Sequence, residues 1–182
     1  LNLNMSAQAY AKVESILKSR PEVEAFSLRV KFGGMFSNFV ETTNIRLNGV
    51  DPEREFKTVP LLPERIAEGN KTLNPGEILI PELLARGMKV KPGDMVVVVA
   101  TNKDGSVNGK QFKVSGILES ATGPGGRDGY IHIADAREVL RMVDYEISEV
   151  AVRLKDFGKV EEFTGKLSAL LPPEVKQKRA AL

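Results

Sequence analysis

An α+β fold follows from three observations on this 182-residue sequence. Residues 1–32 read strand–helix–strand, residues 149–177 read strand–helix–strand again, and the stretch between them is β-rich with its own turn signals. Two βαβ-like halves around a β-rich insertion predict a discontinuous outer lobe of residues 1–51 and 123–182. The inner lobe is predicted to span 52–122.

The first helix can be capped by Asn4 or Ser6 and runs to about Ser19, with Tyr10, Val13, Ile16 and Leu17 on one stripe. Arg20-Pro21 ends it. Phe26, Leu28, Val30 and Phe32 then alternate with Ser27, Arg29 and Lys31, the pattern of a half-buried strand. Gly33-Gly34 predicts a reversal over residues 33–38. Residues 39–50 are expected to return as the partner strand, with Thr43, Ile45 and Leu47 on one face. From 53 to 74 the pattern weakens, because Pro60, Pro63, Pro75 and Gly69 break it into pieces; one helical turn is expected at 64–68.

Residues 76–80 form the next expected strand. A compact helix follows, with Pro81 in its first turn and Gly87 taking the left-handed conformation that ends it. Pro92-Gly93-Asp94 turns into the apolar strand 95–100. The hairpin tip at 102–109 holds both Asp-Gly and Asn-Gly, and residues 112–118 return from it. Residues 120–129 are the clearest linker. Beyond it come a strand at 130–133, a helix at 134–142 and a strand at 150–154. A helix capped by Asp156 carries the stripe Phe157, Val160, Phe163, Leu167, Leu170 and Leu171. Pro172-Pro173 ends that helix, and residues 174–177 are expected as a last strand.

Composition bounds the function. The 26 basic and 24 acidic residues give a net charge of +2, without the one-sided basic surface that nucleic acid needs. There is no cysteine, which excludes disulfides and thiolate metal sites. No segment reaches the ~20 apolar residues of a membrane-spanning helix, and the start of the chain lacks the basic and apolar regions of a signal peptide. Because the pattern is already running at Leu1, the sequence reads as a segment excised from a longer frame.

The candidate sites are few. Gly123, Gly125, Gly126 and Gly129 read as a hinge rather than a phosphate loop, since the lysine and Ser/Thr of such a loop are missing. His132 is the only histidine and stands between two isoleucines without a nucleophile at motif spacing. Glu161 and Glu162 point about 100° apart on a helix, which is poor geometry for sharing an ion. Glu146 and Glu149 carry no further ligand pattern. No catalytic, cofactor-binding or metal site is therefore predicted, and the chain is not read as an enzyme. The expected partner contacts are Met35, Phe36 and Phe39 at the glycine turn, and Asp104 and Val107 at the hairpin tip, because apolar and turn residues at loop tips mark contact surfaces.

Several short words recur in an order that resembles one family. They are Asn48-Gly49-Val50-Asp51-Pro52, Ile66-Ala67-Glu68-Gly69-Asn70, Gly76-Glu77-Ile78-Leu79-Ile80 and Leu83-Leu84-Ala85-Arg86-Gly87. Lys91-Pro92-Gly93-Asp94, Phe112-Lys113-Val114-Ser115-Gly116-Ile117-Leu118 and Tyr130-Ile131-His132-Ile133-Ala134-Asp135-Ala136 continue the series. Together they resemble the extracytoplasmic core domain of FtsX-like ABC-transporter permeases, the group that includes MacB, LolC and LolE. The resemblance implies a porter-like subdomain of βαβ halves interrupted by a β-rich Sabre-like subdomain. It also implies a non-catalytic domain of a cell-membrane permease, on the periplasmic or extracellular side, that transmits ATP-driven motion and binds cargo or a partner in lipoprotein release or efflux. The implied partners are the transmembrane helices of the same permease, a second permease copy or paralogue, a cytoplasmic ATPase, and a periplasmic adaptor or carrier. ATP would sit on a separate nucleotide-binding domain or subunit, so no cofactor is expected here. The rival reading is a self-contained soluble α+β ligand-binding protein or enzyme that uses the cleft between lobes. The two separate on the full reading frame: the permease requires one apolar helix of ~20 residues before Leu1 and three after Leu182, and the rival requires none.

Overall fold

The computed structural model describes residues 5–122 and 126–175. Helix α1 (Ala7–Lys18) starts at Ser6, whose hydroxyl accepts from the Ala9 amide at 3.1 Å, and it buries Ala9, Val13 and Leu17. Strand β1 (Val23–Ser37) is longer than expected, with 15 residues running straight through Gly33-Gly34. The reversal predicted at 33–38 lies instead at 38–41, before β2 (Thr42–Val50). Glycine permits a turn without requiring one, and here Gly33 and Gly34 are held extended opposite Arg46 and Ile45. A side chain at Gly34 would stand 2.7 Å from the Val99 carbonyl oxygen, so close approach of a neighbouring strand explains the glycine.

The weakly patterned stretch is ordered as well. Asp51 Oδ1 accepts from the Glu53 amide at 3.0 Å and Pro52 fills the first helical position of α2 (Pro52–Thr58), both ordinary helix-start chemistry. A short α3 (Leu61–Glu64) follows, and the helical turn expected at 64–68 is instead strand β3 (Ile66–Gly69). The series β4 (Glu77–Pro81), α4 (Glu82–Met88), β5 (Met95–Thr101) and β6 (Val107–Leu118) keeps the expected order. Helix α4 continues past Gly87, and the left-handed residue that ends it is Lys89 at φ +52°. Strand β7 (Gly129–His132), α5 (Ile133–Val139), β8 (Glu149–Leu154), a 3-10 turn (Phe157–Lys159) and α6 (Val160–Ser168) complete the order. Of the expected terminal strands, residues 1–4 and 176–177 lie outside the described residues, Met5 forms a single bridge to Ile147, and residues 174 and 175 are not in a strand.

Six strands close on themselves. β1 pairs with β2, β2 with β7, β7 with β4, β4 with β6, β6 with β5, and β5 with β1. Mixed α+β architecture is therefore realised as a barrel-like ring, with β3 attached to β6 and β8 attached to β1. The expected lobe boundaries at 51 and 123 cut through this ring, since β1 and β2 come from before the first and β7 from after the second. Inside the ring sit Val30, Phe32, Phe36, Ile45, Leu47, Ile78, Val96, Val98, Phe112, Val114 and Ile131. Helices α4 and α5, which leave β4 and β7 at opposite ends, contribute to the same cluster through Met88 and Ala136. Helices α2 and α3 cover one outer flank around Leu62, Ile66, Leu79, Leu118 and Tyr130.

A second layer lies at the start of β1. There β8 extends the sheet beyond the ring, and α1 and α6 pack on it through Ala9, Val13, Leu17, Leu154, Phe163 and Leu167. The first and last helices thus share one core.

Phe36 is 0% exposed inside the ring and Phe39 is 59% exposed. Phe36→Ala is expected to cost about 3–5 kcal/mol in urea unfolding. Phe39→Ala should stay within about 0.5 kcal/mol of the parent, as at a surface position.

Candidate functional site

Strand direction separates the two predicted contact surfaces. In the β1–β5 register Met35 faces Val99 and Ser37 faces Val97, so the β1–β2 tip lies at the start of β5 and the β5–β6 tip at its end. The hairpin tips therefore stand at opposite ends of the barrel, and no flat partner can cover both. Of the residues expected at the first surface, Met35 and Phe39 are exposed, while Phe36 is in the core and leaves the candidate surface. Phe39 adopts φ +73°, an uncommon conformation for a large side chain. Its loop is tied down: Ser37 Oγ accepts from the Phe39 amide, and Asn38 Oδ1 accepts from the amides of Val40 and Glu41. Asn38 Nδ2 in turn donates to the Met88 carbonyl at the end of α4, at 2.8 Å.

At the other end, Asn102 Oδ1 accepts from the Asp104 and Ser106 amides, which shapes the β5–β6 tip and leaves Asp104 and Val107 exposed. This tip is braced against α5 and the segment after it. Lys103 pairs with Glu146, Asn108 Nδ2 donates to the Val139 carbonyl, and Lys110 contacts both Glu138 and Asp135. Burial would lower the Lys110 pKa, but its hydrogen bonds to Glu138 and Asp135 raise it above the usual lysine range.

The described hinge candidates have close-packed places. A Cβ at Gly129 would stand 2.9 Å from both the Leu79 carbonyl oxygen and Leu47 Cδ2. One at Gly126 would overlap the Ala121 carbonyl, and the Gly126 carbonyl is held by the Ala121 amide and by Arg65. Tight backbone approach explains these two glycines. Gly123 and Gly125 lie outside the described residues. His132 caps α5, its Nδ1 accepting from the Ala134 amide at 3.2 Å. Among the described residues no three His, Asp or Glu side chains gather into a metal-binding group.

The charged group that sequence reasoning missed sits where β1 passes from the α-helical layer into the ring. Arg29 donates to Glu55 on α2 at 2.5 and 3.0 Å and to Glu149 on β8 at 2.9 Å. The Glu55 side chain is fully buried, and among the described residues its Oε2 has no hydrogen-bond partner. Burial would lower the Arg29 pKa, and Glu55 instead raises it, so the guanidinium stays charged. Burial pushes the nearby Tyr130 hydroxyl up to about 12. On α2, Arg54 reaches Glu14 of α1 at 3.4 Å, extending the contact to the helical layer. In the sequence Arg29 is one more polar residue on an alternating strand, and Glu55 falls in the segment broken by prolines; neither carries a signal of the other.

The family model of the MacB-like periplasmic core domain matches residues 3–170. No curated protein matches the sequence. Among solved structures, the chain is similar to the extracellular domain of the noncanonic ABC-type transporter YknZ from Gram-positive bacteria. The TM-score is 0.62 at 17% identity, over 88% of this chain and 79% of that one. It is similar in the same way to the periplasmic region of MacB from Actinobacillus actinomycetemcomitans, with TM-score 0.62 at 12% identity over 88% of this chain and 71% of that one. A domain assigned as a permease protein from Porphyromonas gingivalis matches with TM-score 0.56 at 17% identity, over 86% and 67% of the two chains. At these identities the likeness to solved structures is one of fold.

Two measurements test the charged junction. Glu55→Ala strands the Arg29 charge and should cost about 3–5 kcal/mol, whereas the double replacement Arg29→Met with Glu55→Leu should come close to the parent. Glu149 behaves differently. Burial would raise its pKa, but Arg29 and Lys31 hold it below the usual carboxylate value. Its stabilisation is therefore present above that value and lost as pH falls through the folded pKa. Glu149→Gln should cost under about 1 kcal/mol at neutral pH, the range of a partly solvated pair. That difference should vanish in acid, as read from unfolding curves across pH.

Proposed function

The chain belongs to the MacB-like periplasmic core domain family, and on that premise we propose that it serves an ABC-type permease as a non-catalytic transmission and recognition module. Its seat is the periplasmic or extracellular side of the membrane. The observation that supports transmission is the shared strand: β1 carries the helical layer at one end and the barrel at the other, so a displacement of α1 and α6 is carried to the barrel tip by one hydrogen-bonded element. The first and last described helices pack in one core, so they are displaced together. In the terms of the resemblance, the α1–β8–α6 layer is the porter-like part. The ring and its covering helices stand in the place of the Sabre-like part, inserted along β1 rather than at Asp51.

In this reading ATP is bound and hydrolysed by a cytoplasmic ATPase, as a separate subunit or fused domain, and the permease works as a pair with a second copy or paralogue. Lipoprotein release and efflux are the two cargo classes, and Met35, Phe39, Asp104 and Val107 are the contacts offered to cargo, adaptor or carrier. The rival reading, a self-contained soluble ligand-binding protein or enzyme using the cleft between lobes, has less support: two open depressions among the described residues lie along α1, one beside residues 170–174 and one around Glu14 and Lys18.

The test uses the full reading frame, co-expressed with its ATPase and reconstituted. These residues contain no cysteine, so Gln111→Cys on the exposed face of β6 takes a spin label at one place once any cysteines elsewhere in the frame and in the ATPase are replaced by serine. The distance between labels on the two permease copies should change when a non-hydrolysable ATP analogue is added. An assembled complex with identical distances in all nucleotide states would reject transmission.

A further inference from the structure

Helical layer and barrel are joined where β1 changes partners. Arg29 is the last β1 residue opposite β8 and the first opposite β2. It has a ladder partner on each side, which places β8 and β5 along the same edge of β1. On that edge the ladder to β8 ends at Arg29 and the ladder to β5 begins at Met35. In between, the Lys31 amide donates to the Ser148 hydroxyl at 2.7 Å, a side-chain bond in place of a ladder bond.

Other links across this join are made by partly exposed side chains. Arg54 of α2 reaches Glu14 of α1 at 3.4 Å, and Lys103 of the β5–β6 tip pairs with Glu146 ahead of β8. Contacts of this kind contribute little and re-form readily in water. A tilt of the helical layer about Arg29 therefore rearranges side-chain bonds rather than ladders. It alters the separation of Glu55, on the helix that covers the barrel flank, from Glu149 on β8.

Arg29 divides its donors between these two carboxylates, and the division leaves one oxygen out. A guanidinium and a carboxylate ordinarily make two parallel bonds, one to each oxygen. Here Nε and Nη2 both converge on Glu55 Oε1, at 3.0 and 2.5 Å, while Nη1 is drawn to Glu149 Oε1 at 2.9 Å. Glu55 Oε2 is buried and, among the described residues, has no hydrogen-bond partner. An unpaired buried carboxylate oxygen is destabilising. Turning Nη2 onto Oε2 satisfies it and takes Nη1 away from Glu149. Glu149 loses little by that exchange, because its side chain is 41% exposed and Lys31 Nζ already stands 3.4 Å away. The two arrangements thus exchange one charged hydrogen bond for another, and they are discrete.

We propose that Arg29 is a two-position latch that sets the angle between the helical layer and the barrel. In the position seen here it bridges Glu55 and Glu149 and holds the two parts together. In the second it pairs with both oxygens of Glu55, and Glu149 withdraws with β8 as the layer tilts. This rests on the permease reading and gives its transmission half the two-state element that coupling between distant sites requires. A pull on α1 and α6 selects the latch position, and the barrel turns as a unit.

The experiment uses the full reading frame with its ATPase in nanodiscs. One copy carries Lys12→Cys on α1 and Gln111→Cys on β6, both exposed positions, with any other cysteines of the complex replaced by serine. Two different tags isolate complexes in which the second copy is unlabelled, so the spin labels report the angle within one copy. Two distance populations are expected, and a non-hydrolysable ATP analogue should shift their ratio. Glu149→Gln weakens the bridge and should move that ratio about two- to fivefold toward the second position without nucleotide. Arg29→Met with Glu55→Leu should fold like the parent and remove both positions, so that the populations merge and the nucleotide no longer divides them. A ratio that Glu149→Gln leaves unchanged overturns the latch, as do two populations that persist in the double variant. A complex that hydrolyses ATP and moves its two copies apart or together, yet shows one unchanging distance within each copy, rejects the latch and leaves the permease reading intact. A chain that does not assemble with an ATPase rejects that reading, and the populations and their response to Glu149→Gln are then read in the reconstituted permease alone.

Discussion

One strand carries two sets of partners, and the remainder of the structure depends on it. Over its first half β1 is bonded to β8 and roofed by α1 and α6; over its second half it is bonded to β2 and β5 and closes the ring. Ladder bonds to β8 or to β2 follow it from Ala25 to Ser37, so the layers share one continuous paired strand. The two layers cannot then move as independent bodies joined by a flexible tether. Bending must concentrate where the partners change, near Arg29, which faces Val50 of β2 on one side and Glu149 of β8 on the other.

The chemistry at that crossing fits its position. A buried carboxylate and a guanidinium beside it are costly to desolvate, and an apolar pair of similar volume would serve stability as well. An ion pair is directional where an apolar contact is not. Arg29 reaches α2 and β8 at once, and Arg54 links α2 to α1, so the angle between helical layer and barrel is fixed by hydrogen-bond geometry. The bare flank of β1 and β5 has the opposite character. Among the described residues no helix packs on it, and Met35 and Met95 stand about half exposed there.

Much of the local order was legible in the sequence because its causes are local. Ser6 and Asp156, both expected as caps, each satisfy an amide within a few residues, while Asp51 with Pro52 starts a helix by the same chemistry in a stretch whose prolines hid it. The misreadings share one cause. Gly33-Gly34 was expected to turn and Gly87 to end a helix, since isolated glycines punctuate chains. Strand pairing overrode the first, and the second was overtaken by a helix that reaches Lys89. The misplaced turn puts Phe36 at the surface, and a strand that continues five residues further, to Ser37, carries it into the core.

By itself the sequence determined the mixed composition of helices and strands, their order, and a family whose signature words are strung along the chain; all of these reside in neighbours a few positions apart. Only the tertiary structure decided that the strands close into one ring across both expected boundaries, that Arg29 meets Glu55 and Glu149, and that the two hairpin tips point away from each other. Those facts depend on which strands pair and in what register. Pairing is settled by the burial of side chains distant in sequence, which alternation along a single strand cannot specify.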